Sequence, residues 1–388
     1  MKTLRIGLLW HATAAGNLGV GALSVGNMAL ARAAAARAGV TPHFTVIGPY
    51  EPGKPYITGN DVELRTITGR YMASPTGYRA DLRGLDILLD IGAGDSFADI
   101  YPDKRFAYIV ATKAFAIAAG KPLVLSPQTI GPFTRQPHTS IAAWICRRAA
   151  VVFARDPLSM QVLQGFAPSA DARQAIDVAF ALPYDKPVRT PAGPIRVGIN
   201  VSGLLLSGGY AGGNEYGLAF DYPALTRALV AAFAAMPGVE VHLVPHVNAP
   251  AMPNDDDGIA CDRLHAEFPQ SHRVPNFASP SAAKSFIAGL DFLVAARMHA
   301  TIAAYSAGVP VVPISYSRKF EGLYKGLDYP WLVTATGMDT GAATAFVLDA
   351  FARRNELAHD IKRGAPVIAA GLESYTAELA RQFAAAAK

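Results

Sequence analysis

Apolar residues in this chain come in short continuous runs, separated by alanine-rich stretches with helical spacing. Leu4–Trp10, Phe44–Ile47, Asp86–Ile91, Pro122–Ser126 and Val151–Ala154 predict buried strands. Between them, Val20–Ala38, Arg105–Ala119, Thr139–Ala149 and Leu158–Gly165 carry the spacing of helices. Strand and helix in alternation predict a parallel sheet wrapped by helices.

The pattern breaks around Leu182–Pro194, where proline and charge rise and apolar periodicity vanishes, which marks a domain boundary. It resumes with strands at Arg196–Val201, Val239–Pro245, Phe292–Ala296 and Val309–Ser315. Helices are expected at Tyr222–Met236, Asp257–Glu267, Ser281–Gly289, Ala300–Ala307 and Ala342–Phe351. The architecture this implies is α/β, with two Rossmann-like doubly wound domains facing a central cleft, spanning residues 1–187 and 188–355. Residues 356–388 form a long alanine-rich helical pattern, expected to cross back onto the first domain.

At 388 residues, 51% hydrophobic and 17% charged, the chain is long and apolar enough for two cores. Its net charge of +5 is mild and carries no basic run of five or more, which suits anionic small molecules or a lipid-phosphate surface and argues against nucleic acid. Cys146 and Cys261 stand far apart, so neither a metal knuckle nor a disulfide framework is expected, and a reduced, cytoplasmic setting fits. The apolar run Ile6–Trp10 is too short for a signal peptide core, and no uncharged stretch is expected to span a membrane, although peripheral contact with one fits the charge.

Open α/β sheets bind ligands at the carboxyl ends of their strands, and here those ends are polar. The first domain carries Asn17, the loop Gly92-Ala-Gly94-Asp95-Ser96 with Asp99, Gln128 and Arg155. Glycines admit close backbone approach, while Asp and Gln fix hydroxyls, so this half suits a polyol. The second carries His246, Arg297, His299, Tyr316 and Lys319, a set suited to phosphate and carboxylate. Arg297-Met-His299 is the sharpest feature. A strand delivers both side chains to its end and a helix begins just beyond, so guanidinium, imidazole and helix N-terminus converge on one anion. Arg297 could instead cap that helix or pair with Asp291. Asp156 before Pro157 reads as a helix cap. The run Asp255–Asp257 reads as a solvated helix start, with no metal inferred.

Taken in order, Asn17-Leu-Gly-Val, Gly92-Ala-Gly-Asp-Ser-Phe-Ala-Asp99, Pro127-Gln-Thr-Ile-Gly-Pro132, Arg155-Asp-Pro-Leu-Ser159, Asp177, Arg297-Met-His299, Gly308-Val-Pro310 and Tyr316-Ser-Arg-Lys319 resemble the polysaccharide pyruvyl transferase family. The resemblance implies a two-domain fold similar to the glycosyltransferase B type. It also implies transfer of the enolpyruvyl unit of phosphoenolpyruvate onto a sugar or lipid-linked oligosaccharide as a pyruvate ketal, with no cofactor. By the same resemblance the phosphoenolpyruvate-binding element falls on Arg297 and His299. The chain departs from the family at Ala93, where the loop commonly has a third glycine.

Ketal formation needs an acid, a base and an anion clamp. Arg297 is the expected clamp, His299 a phosphate donor or general acid, Lys319 a further point charge, and Asp95 or Asp99 the group that orients or deprotonates the acceptor. Asn17, Gly94, Ser96, Gln128, Arg155, His246 and Tyr316 are expected to line the substrates. A nucleotide-sugar glycosyltransferase of the same fold, or a non-catalytic partner in polysaccharide assembly, would use similar strand ends.

Overall fold

The computed structural model describes residues 1–188 and 193–388, so part of the expected linker Leu182–Pro194 lies outside the described residues. By its contacts the chain falls into two compact units. The first holds Met1–Ala15, Leu23–Leu182 and Ile368–Lys388; the second holds Gly16–Ala22 and Pro183–Val367.

The first unit is built on β1 (Lys2–Leu9), β2 (Val40–Gly48), β3 (Val62–Thr66), β4 (Ile87–Asp90), β5 (Leu123–Gln128), β6 (Val151–Ala154) and β7 (Ala172–Gln174). All seven are parallel, in the order β3-β2-β1-β4-β5-β6-β7. The helices are α1 (Leu18–Arg37, of which Leu18–Ala22 groups with the second unit), α2 (Gly69–Ala73), α3 (Tyr78–Gly84), α4 (Asp103–Ala118), α5 (His138–Arg148) and α6 (Pro157–Phe166). Every residue of β4, β5 and β6 is buried, as expected for central strands covered on both faces.

The second unit holds β8 (Ile195–Asn200), β9 (Val239–Val244), β10 (His272–Arg273), β11 (Phe292–Ala295) and β12 (Val311–Pro313), all parallel in the order β10-β9-β8-β11-β12. Its helices are α7 (Gly203–Leu206), α8 (Tyr222–Ala234), α9 (Asp257–Glu267), α10 (Pro280–Ile287), α11 (Met298–Ser306), α12 (Arg318–Gly326), α13 (Thr340–Ala352) and the start of α14 (Arg354–Ala386). Asp221, Asp256, Ser279 and Asp339 each accept a first-turn N–H, so local chemistry starts α8, α9, α10 and α13.

The strands that periodicity missed, β3, β7 and β10, are sheet edges. Their residues are half-buried or exposed, which removes the apolar signal that marks a central strand. The helix Leu18–Arg37, which carries Arg32 and Arg37 and so is not an uncharged stretch, is long and apolar enough to cross a membrane by length and composition alone. Two thirds of its most apolar window is buried inside the protein, as in a core helix.

Residues 368–388 of α14 pack with the first unit. Tyr375 is fully buried there and donates to Asn27 Oδ1 or Ser126 Oγ, each 2.8 Å away. His11 joins this network through Asn27 at 2.8 Å, and burial lowers its pKa to about 4, so it is neutral. Replacing Tyr375 with Phe takes this donor from the buried Asn27 Oδ1 and leaves Ser126 Oγ only its bond from Asn27 Nδ2. Urea denaturation is expected to show a loss of about 1–3 kcal/mol, and a loss below about 0.5 kcal/mol would mean the network does not hold this segment.

Candidate functional site

Arg297 stands two residues past the end of β11, at the N-cap position of α11. Its own N–H donates to Asn200 Oδ1 at the end of β8 (2.9 Å), while Asn200 Nδ2 donates to Val244 O at the end of β9 (2.9 Å). Three neighbouring strands are thus tied at their carboxyl ends, and the Arg297 side chain turns inward to 7% exposure. Its Nε and Nη2 meet Asp257, with Nη2 to Oδ1 at 2.7 Å, and Nη2 also donates to Asp255 Oδ1 (2.7 Å) and Asp255 O (2.9 Å). Burial disfavours the guanidinium's charge, but Asp257 and the other groups around it outweigh that cost and raise its pKa.

Those contacts correct the reading of Asp255–Asp257 as solvated. All three are buried, at 5%, 3% and 0% exposure. Asp256 caps α9, accepting from Ile259 N at 2.9 Å. Asp257 also accepts from Gly203 N, His246 N and Val247 N, each at 3.0 Å. Burial pushes its carboxyl pKa up, and Arg297 opposes that shift. Among the described residues no group of three or more His, Cys, Asp or Glu is arranged to hold a metal. Asp291, the other partner considered for Arg297, accepts instead from Arg196 N at 2.9 Å.

His246 and His299 belong to the same cluster. Both His299 and Arg297 act on His246, which is 3% exposed, and its Nδ1 has no hydrogen-bond partner among the described residues. Burial first, then the electrostatic influence of His299 and Arg297, lowers its pKa to about 3. The Asn17 loop, read from sequence as a strand end of the first domain, belongs by its contacts to the second unit. Asn17 bridges Val247, Leu18 N donates to His246 O at 3.2 Å, and Asn17 Oδ1 accepts from Gly19 N at 3.0 Å. A Cβ on Gly19 would lie 2.4 Å from His299 Nδ1, so only glycine fits against that ring. Tyr316 packs edge-on to Tyr216 at 4.9 Å and acts electrostatically on Arg297, while Lys319 lies in the first turn of α12. Tyr210, on the loop after α7, reaches Asp255 Oδ2 at 3.4 Å.

A second group of expected residues gathers in the first unit, at the ends of β4, β5 and β6. Gly92, Ala93 and Gly94 all have positive φ, with Ala93 at 48°, so the alanine occupies a left-handed conformation that glycine takes at lower cost. Gln128 Nε2 donates to Asp90 O (2.8 Å), and its buried Oε1 has no hydrogen-bond partner among the described residues. Arg155 is 4% exposed and donates to Asp177 Oδ2 at 3.0 Å; a Cβ on Gly94 would lie 3.8 Å from its Nη1. Ser96 accepts from Arg105, and Asp95, half-buried, accepts from the Tyr101 hydroxyl at 2.9 Å. Asp99 is committed elsewhere, since it accepts from Thr134 N (2.6 Å) and Arg135 N (3.1 Å) and so anchors that loop. Asp156 caps α6 as expected, accepting from Ser159 N at 2.8 Å.

Sequence reasoning missed Asp255, Asp257 and Tyr210. The signal available was position, because Asp255–Asp257 opens a helix shortly after the carboxyl end of β9, where ligand sites also form.

Two doubly wound parallel sheets make a two-domain α/β fold similar to the glycosyltransferase B type. A putative UDP-N-acetylglucosamine 2-epimerase from Listeria monocytogenes superposes with a TM-score of 0.57 at 14% identity, covering 93% of this chain and 91% of the other. A glycosyltransferase from Rickettsia africae gives 0.54 at 10% identity (98% and 96% covered). UDP-GlcNAc 2-epimerase from Neisseria meningitidis gives 0.52 at 10% identity (96% and 100%). At these identities the likeness is one of fold alone. No curated protein matches the chain in sequence. Residues 26–318, about three quarters of the chain, match the family Polysaccharide pyruvyl transferase, and the chain belongs to that family. Asn17 and Lys319 lie just outside the matched stretch.

Acid should weaken the cluster. The unfolded chain binds a proton at His246 below about pH 6.5, whereas the folded protein resists protonation there down to about pH 3, so stability falls as pH drops through that window. His246→Gln is expected to flatten the pH dependence of the urea midpoint between pH 6.5 and 4, leaving the share due to His11 and His242, whose pKa values burial also lowers to about 4. An unchanged slope would show that His246 is not held neutral.

Proposed function

We propose that this chain is a polysaccharide pyruvyl transferase that moves the enolpyruvyl group of phosphoenolpyruvate onto two hydroxyls of a sugar unit, as a pyruvate ketal. The observation that carries the reading is Arg297 and His299 together at the carboxyl end of β11 and the N-terminus of α11, in a chain of this family. The reaction protonates the methylene carbon, joins two sugar oxygens to the central carbon and releases hydrogen phosphate. Of the two protons the hydroxyls give up, one goes to carbon and one leaves with phosphate.

Arg297 meets the donor's phosphate or carboxylate. Its Nε and Nη2 are already engaged by Asp257 and Asp255, so Nη1 is the amine that faces the donor first. Two parallel bonds through Nη1 and Nη2, the geometry expected from sequence, require Asp255 to yield its share of Nη2. His299 hydrogen-bonds the phosphate or delivers the proton, and Lys319 adds charge from α12. In the first unit the positive-φ loop Gly92–Gly94, with Asp95, Ser96, Gln128 and Arg155, receives the acceptor. Asp95 orients or deprotonates a hydroxyl; Asp99, committed to its own loop, supports from behind. The acceptor is a sugar of a polysaccharide repeat, carried on a lipid, and the enzyme works in the cytoplasm at the membrane's inner face without a cofactor.

Arg297→Ala is expected to lower phosphate release from phosphoenolpyruvate by about 100-fold or more, and His299→Ala by about 100- to 10,000-fold. Turnover undiminished in both overturns the assignment. Thermal stabilisation of the purified protein by a nucleotide sugar, and not by phosphoenolpyruvate, favours the glycosyltransferase reading instead.

A further inference from the structure

Asp257 has no place in the chemistry just described, yet it is fully buried and both its oxygens are saturated. Oδ1 accepts from Gly203 N and from Arg297 Nη2 and Nε; Oδ2 accepts from His246 N and Val247 N, with Arg297 Nε at 3.3 Å. The three backbone donors belong to the first residue of α7 and to the turn after β9, so the scaffold as well as Arg297 holds the carboxylate in place.

We infer that Asp257, with Asp255 acting on the same Nη2, is the positioning residue that fixes the guanidinium plane of Arg297, so that its Nη1 amine is presented to the donor anion; this rests on the reading of Arg297 as the donor clamp. A guanidinium has planar, directional donors, and occupying its Nε–Nη2 edge selects which remaining N–H groups a ligand meets. The arrangement is one of position as well as charge: two carboxylates against one guanidinium oppose an incoming anion, so charge neutralisation alone would be better served without Asp255. Lysine at 297 would have no plane to fix, and Asp257 would then have nothing to align.

A double-mutant cycle separates alignment from general electrostatics and from folding. Asp257→Glu keeps the charge and moves the carboxylate; Arg297→Lys keeps the cation and removes the plane. Affinity is read by titration calorimetry with inorganic phosphate and with phosphoenolpyruvate, beside a thermal melt of each variant. D257E is expected to weaken binding about tenfold in the native background and less than twofold beside R297K. Equal fold-changes in the two backgrounds, or none in the native one, overturn the inference. Should D257E fail to fold, D255A reads the same coupling, because among the described residues the Asp255 side chain hydrogen-bonds to Arg297 and Tyr210 alone; its effect is expected to differ at least threefold between the two backgrounds, and equality overturns the inference. A native protein that binds phosphate and shows the coupling but never releases phosphate from phosphoenolpyruvate defeats the proposed reaction alone. One that binds neither anion defeats this inference.

Discussion

The contact between Arg297 and Asp257 organises the second unit's candidate site. A guanidinium and a carboxylate at 7% and 0% exposure each forfeit hydration, and their attraction repays it only because every remaining lone pair of Asp257 is met by a backbone N–H. The same hydrogen bonds join the ends of β8, β9 and β11. Losing one partner would leave an uncompensated buried charge, at a cost of about 3–5 kcal/mol. Placement of His246 follows from it, since its backbone N–H is one of the groups Asp257 holds, and Leu18 N closes on His246 O from the Asn17 loop.

The first unit uses the same device with other residues. Lys113, from α4, and Asp90, at the end of β4, pair at 2.8 Å with no exposure of either side chain, and Gln128 ties into Asp90's carbonyl. Arg155 pairs with Asp177 beside the loop Gly92–Gly94. Buried ion pairs thus stand at the strand ends of both units. Ala93 sits at φ 48° within the loop Gly92–Gly94, a conformation that the surrounding hydrogen bonds impose on it.

Much of the fold was legible because central parallel strands must be apolar on both faces. The strands β4, β5, β6 and β11 each open on three or more consecutive apolar residues, and Arg297 and His299 stood out as the polar break after one of them. The edges β3, β7 and β10 carried no such signal, since half-exposed strands tolerate polar residues. Asp156 could be read as a cap because capping is a contact among sequence neighbours. Asp99 could not be read as a loop anchor, because Thr134 and Arg135 are distant in sequence.

Sequence alone determined the alternation of strand and helix, the family, and the residue types at the carboxyl ends of the strands. These follow from local chemistry and from the period of apolar positions, which a linear string preserves. Tertiary structure decided which charges meet. It turned Asp255–Asp257 from a solvated run into the partners of Arg297, grouped the Asn17 loop with His246 and His299, and committed Asp99 to its scaffold. Each of those contacts joins residues tens to hundreds of positions apart, and periodicity within a segment carries no information about a partner that only folding brings near.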